Sequence, residues 1–236
     1  MRSFLPLLLL LAIPLRADEV VVSAAASTRE AMTEVAKLYE ARTHERVLLN
    51  FGGSNEMARQ IVAGAKVDVF VAADEATMMR IHATGTPLLS NRLALVTARP
   101  IRNVFALKRF RRIAIANWRA GVPAGVYAAS YFSAMKEWES LEPRLVPTVD
   151  VRAALAAFDA GSVDAAIVYR TDARLTKRKH ATLEIDDDGL IGPIVYPAAN
   201  LRPGAASNRF FAFLFSADVR RIFDRYGFLT PKPTNR

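Results

Sequence analysis

The sequence predicts an α/β fold, and three observations predict it. Some segments carry apolar residues at helical spacing, while others bunch β-branched residues into short runs. The two kinds alternate along the chain, which implies mainly parallel sheets with helices on both faces. The length of 236 residues, 52% apolar and 23% charged, suffices for one large domain or two small lobes with a real core.

Residues 19–23, Glu-Val-Val-Val-Ser, read as a β-branched strand. Residues 28–42 read as a helix, with Ala31, Val35, Leu38 and Tyr39 on one face. A strand at 47–51, a helix at 55–62, a strand at 67–72 and a helix at 75–83 continue the alternation. Residues 93–97 form a fourth strand, followed by a basic connector over 99–112. Residues 113–116 are strand-like, and helices are expected at 125–139 and 151–160. Strands follow at 165–169, 182–185 and 191–198, then one long helix over 207–226 with Phe210, Leu214, Ile222 and Phe223 on its apolar face. Segments 97–100 and 196–201 are the expected crossings between two lobes.

Residues 1–17 read as a secretory signal peptide. A positive start at Arg2 precedes an apolar run over 4–15, and Arg16-Ala17 then meets Asp18-Glu19. The run is too short for a typical membrane span of ~20 residues. The chain has no cysteine, which excludes disulfides, thiolate metal sites, a cysteine nucleophile and lipid on an N-terminal cysteine. His44, His82 and His180 are too scattered for a histidine-rich metal site. An exported chain without such an anchor points to a periplasm.

Four junctions look able to cradle an anion. They are Ala24-Ala25-Ala26-Ser27-Thr28, Phe51-Gly52-Gly53-Ser54-Asn55, Val122-Pro123-Ala124-Gly125 and Asp150-Val151. Each enters a helix, where the first N–H groups lack intrahelical partners and the helix dipole is positive. Ser27 with Glu30 also fits a capping box. Alone, each junction is an ordinary helix cap; several converging would hold an anion without any cationic side chain.

The formal charge of +9 raises nucleic acid as a partner, with basic runs at 108–112 and 177–180. No nucleic-acid motif accompanies them, so they read as solvated patches that could attract oxyanions or an anionic surface from a distance. Enzymatic signals are weak. Ser27 or Ser54 could be a nucleophile and Asp74-Glu75 a carboxylate pair, but no Gly-x-Ser-x-Gly elbow occurs. Asp186-Asp187-Asp188-Gly189 lacks the alternating ligands of a calcium loop.

The ordered set of segments resembles the molybdate-binding periplasmic proteins of ABC transporters over about residues 20–228. The carrying segments include Ala24-Ala25-Ala26-Ser27, Phe51-Gly52-Gly53-Ser54, Ala58-Arg59-Gln60-Ile61, Asp68-Val69-Phe70-Val71-Ala72-Ala73-Asp74-Glu75 and Ser90-Asn91-Arg92-Leu93. Val122-Pro123-Ala124-Gly125, Asp150-Val151-Arg152, Ile167-Val168-Tyr169 and Tyr226-Gly227-Phe228 complete them. The resemblance implies a two-lobed type II periplasmic binding protein with the ligand cleft between the lobes. Lobe I is expected over 18–97 plus 199–236, and lobe II over 98–198. Carried over by motif, Ser27, Ser54 and Tyr169 would offer hydroxyls to molybdate or tungstate, and Ala124 and Val151 their N–H groups. The implied protein is a monomer that serves a membrane permease, needs no cofactor or metal-ion ligand, binds no nucleic acid and catalyses nothing. Another tetrahedral oxyanion such as sulfate is the alternative cargo; an exported serine hydrolase and a polyanion-binding protein are the other classes. The chain departs from the family in carrying Gly52-Gly53 where relatives have more hydroxyls, in the 116–122 loop with Trp118 and Arg119, and in a shortened basic connector.

Overall fold

The computed structural model describes residues 19–186 and 189–231. The expected signal peptide and two residues of the acidic turn, Asp187 and Asp188, lie outside them. In chain order the elements are β1 (Glu19–Ala25), α1 (Arg29–Thr43), β2 (Arg46–Gly52), α2 (Ser54–Val62), β3 (Val69–Val71), α3 (Glu75–Arg80), β4 (Thr86–Asn91) and β5 (Leu93–Thr97). There follow β6 (Ile113–Ala116), α4 (Pro123–Ala134), α5 (Trp138–Leu141), β7 (Leu145–Thr148), α6 (Val151–Asp159), β8 (Ala165–Tyr169), α7 (Arg170–Ala173), β9 (Ala181–Glu184), β10 (Ile194–Asn200), α8 (Ala205–Leu214) and α9 (Ala217–Tyr226).

The strands form two five-stranded sheets, ordered β2-β1-β3-β10-β4 and β7-β6-β8-β5-β9. Both are mixed rather than simply parallel, and in the same way. β2, β1 and β3 pair parallel, as do β7, β6 and β8, whereas β10 and β5 pair antiparallel with both of their neighbours. One strand in each sheet is therefore reversed, and each reversed strand is the one that arrives from the other sheet. A strand arriving that way starts at the cleft and runs away from it, while its neighbours end there.

That topology corrects the expected lobe boundaries. Residues 93–97 were placed in lobe I, but β5 lies in the second sheet; residues 194–198 were placed in lobe II, but β10 lies in the first. The crossings are at Arg92, between β4 and β5, and in the segment between β9 and β10. Both arriving strands are apolar and almost wholly buried, so composition carries no mark of which sheet receives them.

Two strands, β4 and β7, have no counterpart among the expected elements, and each contains a proline. Pro87 lies in β4 and Pro147 in β7, and both strands are sheet edges, where a missing N–H leaves no ladder bond unmade. The helix expected over 125–139 starts earlier, at Pro123, and stops at Ala134. Lys136 then takes a positive φ of 57° before the short α5 begins. The single tail helix is two, broken where Ser216 caps α9 by accepting from the Val219 N–H at 3.4 Å. Among the described residues no helix is long and apolar enough to cross a membrane.

Candidate functional site

Ser27, Ser54, Ala124, Val151 and Tyr169 are all buried and all line one cavity between the two sheets. Ser27, Ser54 and Val151 stand just beyond the carboxyl ends of β1, β2 and β7, Tyr169 closes β8, and Ala124 lies past the turn that follows β6. Ala25, Ala26, Gly52, Gly53, Ala73, Val122, Pro123 and Asp150 complete the wall. Small residues dominate because backbone must face the cavity. Gly53 shows the constraint directly. A Cβ there would lie 3.2 Å from the Val149 carbonyl of the facing lobe and 2.9 Å from Asn55 Oδ1.

Helix starts supply main-chain donors. Ser54 and Val151 open α2 and α6, and Ala124 follows Pro123 at the start of α4. These positions lack intrahelical acceptors. Asp150 caps α6 by accepting from the Ala153 N–H at 2.8 Å, which leaves the Val151 N–H free of that cap. The capping box expected from Ser27 and Glu30 does not form, because α1 begins after a short 3-10 turn over Ala26–Thr28 and has no side-chain cap. Glu30 instead pairs with Arg152 of the other lobe.

The hydroxyls are wired so that their protons face inward. Ser54 Oγ accepts from the Ala73 N–H at 3.0 Å, so its own O–H is free to donate. Ser27 Oγ lies 3.0 Å from Tyr196 Oη, which accepts from Asn91 Nδ2 at 3.3 Å. Tyr196 is thereby set to donate to Ser27, which leaves the Ser27 proton for the cavity. Tyr169 Oη is buried and leans toward Tyr196 Oη in a hydrogen bond outside normal geometry. Burial holds both phenols well above their ordinary range, so they are neutral donors. Sequence reasoning missed Tyr196, which closes no motif, and gave Asn91 no role although its segment was recognised.

The cavity has a volume of about 20 Å³, more than the about 10–15 Å³ that a single water needs. Among the described residues no Lys or Arg lines it.

Behind the wall, Asp172 is fully buried and accepts from the Tyr169 N–H at 3.2 Å. Burial pushes its carboxyl from 3.8 up to about 7, against the opposing pull of Arg152 and the Tyr169 N–H. The folded state thus holds this proton more tightly than the unfolded one. The resulting stabilisation is full below pH 3.8 and is lost as pH rises to about 7. Measured across that range, the unfolding free energy of the protein minus that of Asp172→Asn should fall; a constant difference would contradict the assignment.

Other singled-out residues lie elsewhere. Trp118 packs edge-on to Trp138 at 5.1 Å with Arg119 over its ring, and neither lines the cavity. Asp74 caps α3 by accepting from the Thr77 N–H at 3.0 Å. The two basic runs meet at the pole of the second lobe opposite the cavity. There Asp164 accepts from the N–H groups of Arg111 and Arg112, and Arg178 donates to the Val163 carbonyl at 3.3 Å.

Comparison with known proteins gives the family and the fold. Residues 20–229 match the family described as bacterial extracellular solute-binding protein. The molybdate-binding protein ModA of Escherichia coli (strain K12) is 31% identical over 236 residues, 90% of each chain being covered. Among solved structures, the periplasmic molybdate-binding protein of Azotobacter vinelandii superposes with a TM-score of 0.80 at 21% identity, covering 90% of this chain and 100% of that one. The sulfate-binding protein SubI of Mycobacterium tuberculosis H37Rv does so with 0.73 at 17%, covering 92% and 88%. At those identities the two structures speak for the two-lobed fold alone.

Proposed function

We propose that this chain, which belongs to the bacterial extracellular solute-binding protein family, captures molybdate between its lobes for the membrane permease of an ABC importer. The observation that carries the reading is the convergence of donors on one cavity: the hydroxyls of Ser27, Ser54 and Tyr169 and the opening N–H groups of α2, α4 and α6. The kinship with proteins named as molybdate-binding supports it.

A tetrahedral dianion without a proton offers only acceptors, which a wall of donors matches. Protonated phosphate would set a donor against donors, and an unmatched buried polar group costs about 1–3 kcal/mol. Sulfate has the charge and shape of molybdate and is rejected only by size, which asks for a rigid cavity. Tungstate has the same shape and charge and is held in the same way. The anion's charge is met by fixed dipoles, so no buried counter-ion has to be desolvated.

The anion is cargo, held without cofactor and released unchanged. The protein works as a monomer in the periplasm after loss of residues 1–17. The permease reads the closed arrangement of the lobes. Calorimetric titration with molybdate, tungstate, sulfate and phosphate tests the reading. One-to-one binding of molybdate and tungstate without phosphate heat is expected. Tight sulfate binding with no response to molybdate would overturn the ligand and leave the fold standing.

A further inference from the structure

We propose that Arg152 is the positioning residue of this site: from outside the cavity, its guanidinium ties three of the anion-holding segments together and latches the lobes across them. The inference rests on the oxyanion reading above.

Arg152 follows Val151 as the second residue of α6 and is absent from the cavity wall. Both terminal nitrogens of its fork bond across to the first lobe, and Nε forms an ion pair within the second. Nη1 donates to Glu30 Oε1 at 3.0 Å, while Nη2 bonds Glu30 Oε2 and donates to the Ser27 carbonyl at 3.2 Å. Nε lies 2.6 Å from Asp172 Oδ1, and the other oxygen of that carboxylate holds the Tyr169 N–H. One planar group thus reaches the main chain of Ser27, carries Val151 on its own backbone, and reaches Tyr169 through Asp172.

The partners divide between the lobes. Glu30 and Ser27 stand at the start of α1, against the first sheet; Arg152 and Asp172 stand on α6 and α7, against the second. The bonds to Glu30 and Ser27 exist only when the lobes are together, and the same closure brings Ser27 opposite Val151. The latch and the anion therefore favour the same state, so each strengthens the other. A second interlobe bond, Asn55 Nδ2 to the Ala120 carbonyl at 2.9 Å, is single and neutral. Arginine suits the role because its rigid fork meets Glu30 with two nitrogens while keeping a third beside Asp172, which a single ammonium does not.

Molybdate binding and release, followed by stopped flow and calorimetry, test the latch with Arg152→Gln, Arg152→Lys, Glu30→Gln and the Glu30→Gln/Arg152→Gln pair. Faster release by about 5- to 150-fold, the usual range for coupled sites, is expected with the association rate little changed. Arg152→Lys should fail to restore slow release, and the two Gln changes together should cost less than their separate effects imply, since both remove one contact. Glu30→Gln breaks only the bond between lobes. It should keep the melting temperature of the unliganded protein, which a merely structural role would lower, and it carries the test if Arg152→Gln fails to fold. Arg119→Gln, in an exposed pair with Glu142 within one lobe, should change nothing. Wild-type release rates in Glu30→Gln and Arg152→Gln would overturn the latch alone. A wild-type chain that binds no oxyanion would overturn the site reading, and the latch with it.

Discussion

Gly125→Ala is expected to abolish high-affinity molybdate binding while the chain still folds with reduced stability. A Cβ at Gly125 would lie 1.9 Å from the Ala116 carbonyl oxygen, 2.8 Å from its carbon and 2.9 Å from the Trp118 nitrogen. All three are backbone atoms, so no side chain can turn aside. The end of β6 and the start of α4 must separate, which carries the Ala124 N–H away from the cavity. Overpacking of this kind costs about 1–3 kcal/mol in tolerant cores, and here the resisting atoms belong to a central strand. Calorimetric titration and thermal melting measure the two effects. Gly204→Ala is the control, since its Cβ would meet only Ser207 Oγ at 3.8 Å. Wild-type affinity in Gly125→Ala would show that the α4 helix start does not hold the ligand.

Tyr169→Phe and Ser27→Ala should each weaken molybdate binding by about 1–3 kcal/mol, the value of a hydrogen bond to a charged partner. Their effects on the unliganded protein should differ. The Tyr169 hydroxyl is buried without a well-formed bond, so its removal should leave the melting temperature unchanged or raise it. Removing the Ser27 hydroxyl strands Tyr196 Oη on one side and should lower it. A phenol that costs stability when the site is empty and adds affinity when it is filled is the signature of a ligand group. Unchanged affinity in both variants would mean that the hydroxyls serve the fold alone.

Much of this architecture is local and therefore readable. Ser54 and Val151 open helices because a glycine turn and an aspartate cap precede them, and Asp150 caps α6 as its residue type implies. Ser27 and Glu30 show the limit of such reading. Their spacing fits a capping box, yet Glu30 turns to an arginine 122 residues away, because a charged fork from the facing lobe outcompetes a single N–H. β4 and β7 escape such reading for another reason: each is an edge strand carrying a proline, and edge position is not a local property.

The alternation of strands and helices, the lack of thiol chemistry, and helix starts that present N–H groups and hydroxyls are all written locally in the chain. Periodicity, capping and composition act within a few residues, so they survive in one dimension. Long-range packing instead sets the reversed entry of β5 and β10 into the opposite lobe, the orientation of the Ser27 proton by Asn91 and Tyr196, and the pairing of Arg152 with Glu30 across the cleft. Those choices join residues far apart in the chain, where apolar strands of similar composition compete for the same edges. What selects among them is the packing of the two finished sheets.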